Sequence, residues 1–555
     1  MANVEALRSL IEAERERFGV PGVAIAVVAD GEVVLAEGFG RRDLEADEPV
    51  TADTHFPIAS DTKAFTAALL CLLADEGAVD LDAPVRSVLP WFEMADPHAT
   101  ALVSARDLLS HRTGLPRHDF VWYGETDLTL EDVARRLRHL PLSRPPRQTW
   151  QYNNLCFNTA GYLTEVISGQ SWDAALRDRL LEPLGMSSTV LSAHDPSIKA
   201  IASPYKQVGD GYEKHLLPGE SKVLPAGGIV STIEDMSKWL LARLGAAPDV
   251  LSTDALAQLH GPAMIGGVLT ASFEERQPMG YALGCQVESY RGRRVVRHGG
   301  NLVGFSSDVA VVPGTGIGVV VLTNLHGTYL REALPLLIID QLLGNDALPW
   351  GERYLELMTA SLKGKADALE HHAAKAAGSP PSRPLTEFAG SYEHPAYGTF
   401  SVSDEMVADF HGLGDRIRLD HRSHDAWDLF LVEFDQTLPV VFRQADDGSI
   451  NGVTLGIEPT VEPILFTRAA PAADPGLIES VLGTYQLGPH TLVVRMRGEQ
   501  LVARIASQGE LVLESAGGNR FTSPTMPSLS VEAERSDDGL VRRLVVDPVG
   551  VFERA

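Results

Sequence analysis

Phe56-Pro57-Ile58-Ala59-Ser60-Asp61-Thr62-Lys63, running on into AFTAALLCLLADEG (64–77), sets a serine at the opening of an apolar helix and a lysine one turn later. At a spacing of i+3 the two side chains share a helix face. The helix start offers unpaired N–H groups and the positive end of the dipole, both of which favour developing negative charge. The Lys63 amine takes part in removing the Ser60 proton if burial or neighbouring cations lower its pKa. Ser-x-x-Lys by itself also describes a helix-capping serine. A second copy, Ser203-Pro204-Tyr205-Lys206, runs into QVGDGYEKH with no apolar helix behind it and reads as coincidence.

Two later motifs give the first one company. Trp150-Gln151-Tyr152-Asn153-Asn154 holds the chain's one Tyr-x-Asn. A phenol acts as base or proton relay where cations stabilise its phenolate, and the Asn154 amide donates and accepts at once, so it could hold both Lys63 and a substrate amide. Arg297-His298-Gly299-Gly300-Asn301 holds the one His-x-Gly, at the end of a predicted strand. Its glycines let a substrate backbone approach the strand edge, and a backbone N–H just beyond them would pair with that of Ser60 as an oxyanion hole.

In this order Ser-x-x-Lys, Tyr-x-Asn and His-x-Gly resemble the active-site motifs of the serine β-lactamase and penicillin-binding-protein superfamily, nearest its class C β-lactamase-like branch. Arg106–His111, Thr113-Gly114-Leu115, Leu181–Met186 and Ala226–Thr232 are similar to the same family, so the resemblance covers roughly residues 5–345. It implies Ser60 as the acylated nucleophile, Lys63 and Tyr152 as the proton-transfer pair, and Asn154, His298, Gly299, Gly300 and Asn301 as substrate-binding. His298 stands where β-lactamases and cell-wall peptidases place the lysine of Lys-Thr-Gly, and no Lys-x-Gly occurs in the chain. A mostly neutral imidazole grips a carboxylate weakly, which turns the expectation away from β-lactams and DD-carboxypeptidase substrates. His-x-Gly with two β units behind it resembles the D-aminopeptidase branch. That resemblance implies an acyl-enzyme serine hydrolase directed at amides of D-amino acids, with an esterase or an acyl-transferring, peptide-cyclising enzyme as the alternative; a non-catalytic binding or sensor protein would keep the fold, but the intact motif set speaks against it.

The rest of the chain frames these motifs. GVAIAVVADGEVVLAEGFG (22–40) is a hairpin about Asp30-Gly31, and strand patterns return in YALGCQVE, RVVRHGG, SSDVAVVP and IGVVVLTN with helical sequence between. The expected fold is therefore α+β: an antiparallel sheet gathering the first and last segments and covered by helices, over residues 1–350. A helical segment and a Gly/Ser/Pro linker follow over 351–383. Beyond it Phe388–Tyr392 repeats as Val481–Tyr485, Asp446-Asp447-Gly448 as Asp537-Asp538-Gly539, and Phe466-Thr467-Arg468 as Phe552-Glu553-Arg554. The repeat predicts two small all-β barrels or curled sheets, a lipocalin-like one at 384–470 and a second at 475–555.

Composition excludes several classes. With 47 Lys and Arg against 74 Asp and Glu, the net charge of −27 repels phosphate backbones and argues against nucleic acid as a partner. Three cysteines make no disulfide framework. Val4, Leu7, Leu10, Ile11 and Phe18 follow helical spacing among charges, with no signal-peptide core, and no run of apolar residues is long enough to span a membrane. The expectation is a cytoplasmic enzyme without metal or cofactor, acting on a small molecule or short peptide; a homodimer is compatible with it.

Overall fold

The computed structural model describes residues 3–266, 273–373, 379–410, 417–431, 436–469, 475–498, 500–505, 510–517, 519–523, 526–536 and 540–555. Among them one antiparallel sheet runs in the order Glu48–Pro49, Glu32–Asp43, Gly22–Ala29, Ile317–Thr323, Phe305–Val312, Arg293–Leu302, Gln286–Tyr290, Arg276–Tyr281. The first hairpin therefore pairs with strands some 300 residues away, Val23 opposite Thr323 and Val28 opposite Gly318. Asp30 and Gly31 close that hairpin with positive φ (53° and 79°), as the right-handed twist of a two-residue turn requires.

The central strands are apolar runs because both faces of the sheet are covered. Along Gly22–Ala29, Ala24, Ala26 and Val28 face one core and Val23, Ile25 and Val27 the other. Helices Thr62–Asp75, Asn154–Ser168 and Ile233–Arg243 pack on the first side. On the second side lie Leu7 and Ile11 of helix Val4–Arg17, helix Leu330–Leu343, and Trp350 and Tyr354 from helix Trp350–Ala373.

YALGCQVE is two strand ends rather than one strand. Ala282–Cys285 form the turn, Gly284 takes φ 76°, and a side chain there would strike the Lys63 carbonyl. The apolar residues that suggested a strand instead fill the core beneath the helix Thr62–Asp75.

The two C-terminal units are closed barrels of eight strands each, Gly390–Arg468 and Gly483–Arg554. Their repeat is physical as well as textual. Tyr392 OH donates to Phe388 O (2.6 Å) and Tyr485 OH to Val481 O (2.9 Å), each four residues back. Arg468 donates to the carbonyls of Glu387 and Ala389, and Arg554 to those of Ser480 and Leu482. The expected match at Asp537-Asp538-Gly539 lies outside the described residues.

The first barrel merges with the helical side of the N-terminal core. His118 Nδ1 meets Tyr397 OH at 2.6 Å, Arg136 Nη1 donates to Ala396 O (3.2 Å), and the Phe120 and Phe410 rings lie 6.1 Å apart. The second barrel closes on a core of its own that includes Tyr485, Phe521 and Phe552.

Candidate active site

Ser60 sits in a single 3-10 turn, Ala59–Asp61, that leads into helix Thr62–Asp75. Ala59 enters it at φ 47°, a left-handed conformation costly for a residue with a Cβ. Ile58 N donates to Ile229 O (3.0 Å) and Asp61 N to Ile58 O (3.2 Å), which fixes the turn. Ser60 Oγ then lies 3.1 Å from Lys63 Nζ and 2.8 Å from Tyr152 OH. Residues 92 positions apart in sequence thus converge on one oxygen.

Lys63 is fully buried, and Ala226 O accepts from its Nζ at 2.6 Å. Among the described residues no carboxylate lies within ion-pair distance of it. Burial, and next the positive charge of Arg117, hold its pKa well below the ordinary lysine range. A neutral amine donates two hydrogens and keeps a lone pair, so with one hydrogen on Ala226 O the lone pair is free to face the Ser60 hydroxyl.

Tyr152 stands over this pair with the Arg117 guanidinium 4.9 Å from its ring centre and the buried His111 ring at 4.4 Å. Burial raises the phenol's pKa, outweighing the Ser60 hydrogen bond and Arg117, so Tyr152 is a phenol and not a phenolate. Asn153 caps helix Asn154–Ser168, its Oδ1 accepting from Cys156 N (2.8 Å). The neighbouring Asn154 does not hold Lys63, as its donating and accepting amide suggested it could. Its Nδ2 donates to Asp119 Oδ1 (2.9 Å), and Asp119 also takes the Arg117 Nε at 2.7 Å.

His298 is buried on strand Arg293–Leu302, its ring centre 6.2 Å from that of Tyr152. Burial pushes its pKa down to about 3. Nδ1 lies 2.9 Å from Gly299 O. A carbonyl only accepts, so Nδ1 carries the proton and Nε2, with no partner among the described residues, is a bare acceptor.

Past His298 the strand edge opens: pairing with Gln286–Tyr290 ends at Arg297, while pairing with Phe305–Val312 continues to Leu302. Gly300 lets the Ile58–Ser60 turn approach, since any side chain there would meet Ile58 O, Ser307 Oγ and Ala59. Asn301 follows on the open stretch, its Oδ1 accepting from Ser306 Oγ (3.0 Å).

Sequence reasoning missed Arg117, Asp119, His111 and the Ala226 carbonyl. Ala226 and His111 lay in stretches that matched the family, but Arg117 and Asp119 carried no pattern at all. The second Ser-x-x-Lys is dispersed, with Ser203 Oγ on Asp43 (2.8 Å) and Lys206 on the short strand Tyr205–Val208. Cys156, close to Tyr152 in sequence, is buried against Thr113 with its thiol pushed up to about 12, which makes it inert.

A half-buried, turn-borne serine held by a lysine and a tyrosine, beside an open strand edge, belongs with the fold to one class. Residues 7–342 match the Beta-lactamase family, and the chain is a member of it, a serine hydrolase of the β-lactamase and penicillin-binding-protein type. Residues 374–468 match a domain of unknown function, DUF3471. The chain is 33% identical to an unguisins hydrolase of Aspergillus campestris over 80% of its own length and 88% of that protein's. Among solved structures it is similar to the D-amino acid amidase of Ochrobactrum anthropi SV3 (26% identity, 61% of this chain and 98% of that one, TM-score 0.52). The octameric penicillin-binding protein homologue of Pyrococcus abyssi shares the fold over 92% of this chain and all of that one (21% identity, TM-score 0.56). No helix among the described residues is long and apolar enough to cross a membrane.

Proposed function

We propose that this enzyme cleaves amide bonds of small, peptide-like substrates through an acyl-enzyme on Ser60, with D-amino-acid amides as the preferred class. The observation that carries this is Ser60 Oγ between Lys63 Nζ and Tyr152 OH, one group held below and the other above its ordinary pKa. Neutral Lys63 takes the Ser60 proton as Oγ attacks the carbonyl carbon. Tyr152 gives its proton to the departing nitrogen as the C–N bond breaks, and recovers one from Lys63. Water then attacks the acyl carbon as Lys63 takes its proton, and Lys63 returns that proton to Ser60 Oγ as the ester C–O bond breaks, which leaves the acid free, Ser60 a hydroxyl and Lys63 neutral again. The backbone N–H groups of Ser60 and Asn301 serve as oxyanion donors, and Asn154, His298, Gly299 and Gly300 hold the substrate.

An amide needs its leaving nitrogen protonated far more than an ester needs the same of its oxygen, which is the use of a tyrosine kept as a phenol. The bare Nε2 of His298 accepts from a substrate N–H and offers no cation to a carboxylate. The name of the similar D-amino acid amidase points to the same amide chemistry, and that of the similar unguisins hydrolase to hydrolysis. On this reading residues 1–350 are the catalytic unit, 351–383 join it to the barrels, and 384–470 and 475–555 are the barrels.

A panel of D- and L-aminoacyl nitroanilides, p-nitrophenyl esters and nitrocefin, run on wild type and Ser60→Ala, tests it. The expected result is preferential turnover of D-aminoacyl amides by the wild type, an acyl adduct seen by intact mass, and neither in the mutant. Faster turnover of esters or nitrocefin would overturn the assignment.

A further inference from the structure

Asp61, the residue after the nucleophile, is 1% exposed. Its Oδ2 lies 2.6 Å from Ser307 Oγ, and the same Oγ lies 2.9 Å from Ile58 O. Asp61 Oδ1 is buried and meets no hydrogen-bond partner among the described residues.

The Ser307 hydroxyl has one proton and faces two acceptors. With Asp61 ionised, three oxygens would share that single proton, and one of the two close contacts would be oxygen against bare oxygen. With a proton on Asp61 Oδ2 the chain closes: Oδ2–H donates to Ser307 Oγ, whose own proton goes to Ile58 O. The unpartnered Oδ1 is then the carbonyl of a neutral acid, far cheaper to bury than half of a carboxylate. We propose that Asp61 is a positioning residue that holds a proton in the resting enzyme, and that through Ser307 it ties the Ile58–Ser60 turn to strand Phe305–Val312 without placing an anion beside Lys63.

The charges around it agree. Lys63, two residues on, forms no ion pair with it. Asp308 on the neighbouring strand is committed to Arg297 (2.7 Å). Arg331 from helix Leu330–Leu343 and Arg243 from helix Ile233–Arg243 favour its ionised form, but neither comes within ion-pair distance among the described residues. Tyr152, Tyr281 and Cys285 also face it, all un-ionised, their pKa values raised chiefly by burial. Burial, and next the Asp308 charge, push Asp61 well above the usual carboxylate range. An ionised Asp61 would raise the Lys63 pKa; a neutral one leaves Lys63 the readier to accept.

The catalytic consequence rests on the proposed roles of Ser60 and Lys63, whereas the protonation state does not. Infrared difference spectra of wild type against Asp61→Asn at neutral pH should show the carbonyl stretch of a protonated acid, lost in the mutant. Its absence overturns the proposal whatever the enzyme hydrolyses. In kinetics Asp61→Ala should lose about tenfold in kcat, because a buried donor is removed. Asp61→Asn, whose amide donates to Ser307 in the same place, should recover most of that loss. The acid limb of the pH profile, read also as the rate of fluorophosphonate labelling of Ser60, should stay where it is in Asp61→Asn. A shift of that limb to lower pH would show that a negative charge had been removed, and the proposal would fall.

Discussion

Gly300→Ala is the sharpest test of the close approach on which the reaction geometry depends. A methyl on this residue would lie well inside contact distance of the Ile58 carbonyl oxygen and Ser307 Oγ, and 3.0 Å from Ala59 Cβ. Ile58 and Ala59 cannot yield like a side-chain tip. They form the turn that carries Ser60, pinned at Ile58 by the bond from its N to Ile229 O (3.0 Å). The strand and the turn must therefore part by about 1 Å, and a misplacement of that size costs on the order of 10²-fold in rate. That corresponds to about 2.7 kcal/mol of transition-state stabilisation. Gly299→Ala supplies the contrast. Strand alternation turns its new methyl to the other face of the sheet, where the nearest atoms belong to the end of the Arg331 side chain, which can swing aside. Its loss should stay below about tenfold. The assay is kcat/KM on one D-aminoacyl nitroanilide together with the rate of fluorophosphonate labelling, and thermal melts separate misplacement from unfolding. Wild-type labelling by Gly300→Ala, or equal losses in the two mutants, would refute the argument.

Further outcomes are expected at three residues. Because burial lowers the Lys63 pKa, kcat/KM should rise with pH as Lys63 loses its proton and level off below the ordinary lysine value of 10.5; a plateau reached only above that value would remove Lys63 as the base. The stability sign is the same: between the two pKa values the unfolded chain binds the extra proton, so urea melts should show Lys63 making the fold more stable as pH rises, an increment absent in Lys63→Met. His298→Lys replaces the neutral imidazole with an amine that a bound carboxylate can hold protonated, so amide turnover should fall and acylation by a penicillin should improve; an unchanged ratio of the two kcat/KM values would show the position is misread. Tyr397→Phe removes the barrel's hydrogen bond to His118, beside Arg117 and Asp119. It should cost about 1 kcal/mol of stability and lower kcat with little change in KM, and a mutant that melts lower yet turns over normally would confine the first barrel to support.

Motif spacing in the chain determined the class of chemistry. Ser60 and Lys63 stand one turn apart at i+3, across the 3-10 turn and the start of the helix, so local backbone geometry alone brings them together. Apolar runs ending in turn residues likewise located the hairpin at Asp30-Gly31 and the paired barrels, whose Tyr and Arg pairs occupy equivalent places in both copies. Turns among apolar residues were less legible: Ala282–Cys285 read as strand because burial, not backbone pairing, selects their side chains.

The protonation states, and the company the motif residues keep, were decided only in three dimensions. The proposed base, Lys63, has its pKa lowered because burial strips it of water and, among the described residues, no carboxylate comes within ion-pair distance; neither fact is written in the local sequence. Asn154 turned to Asp119, and Arg117 came over Tyr152, through a loop with no periodicity to read. Histidine 298 was visible as a departure from Lys-x-Gly, but its tautomer depends on one carbonyl at 2.9 Å. Local sequence sets which groups are present on a helix or strand; desolvation and long-range contacts, which sum over the whole fold, set what charge those groups carry.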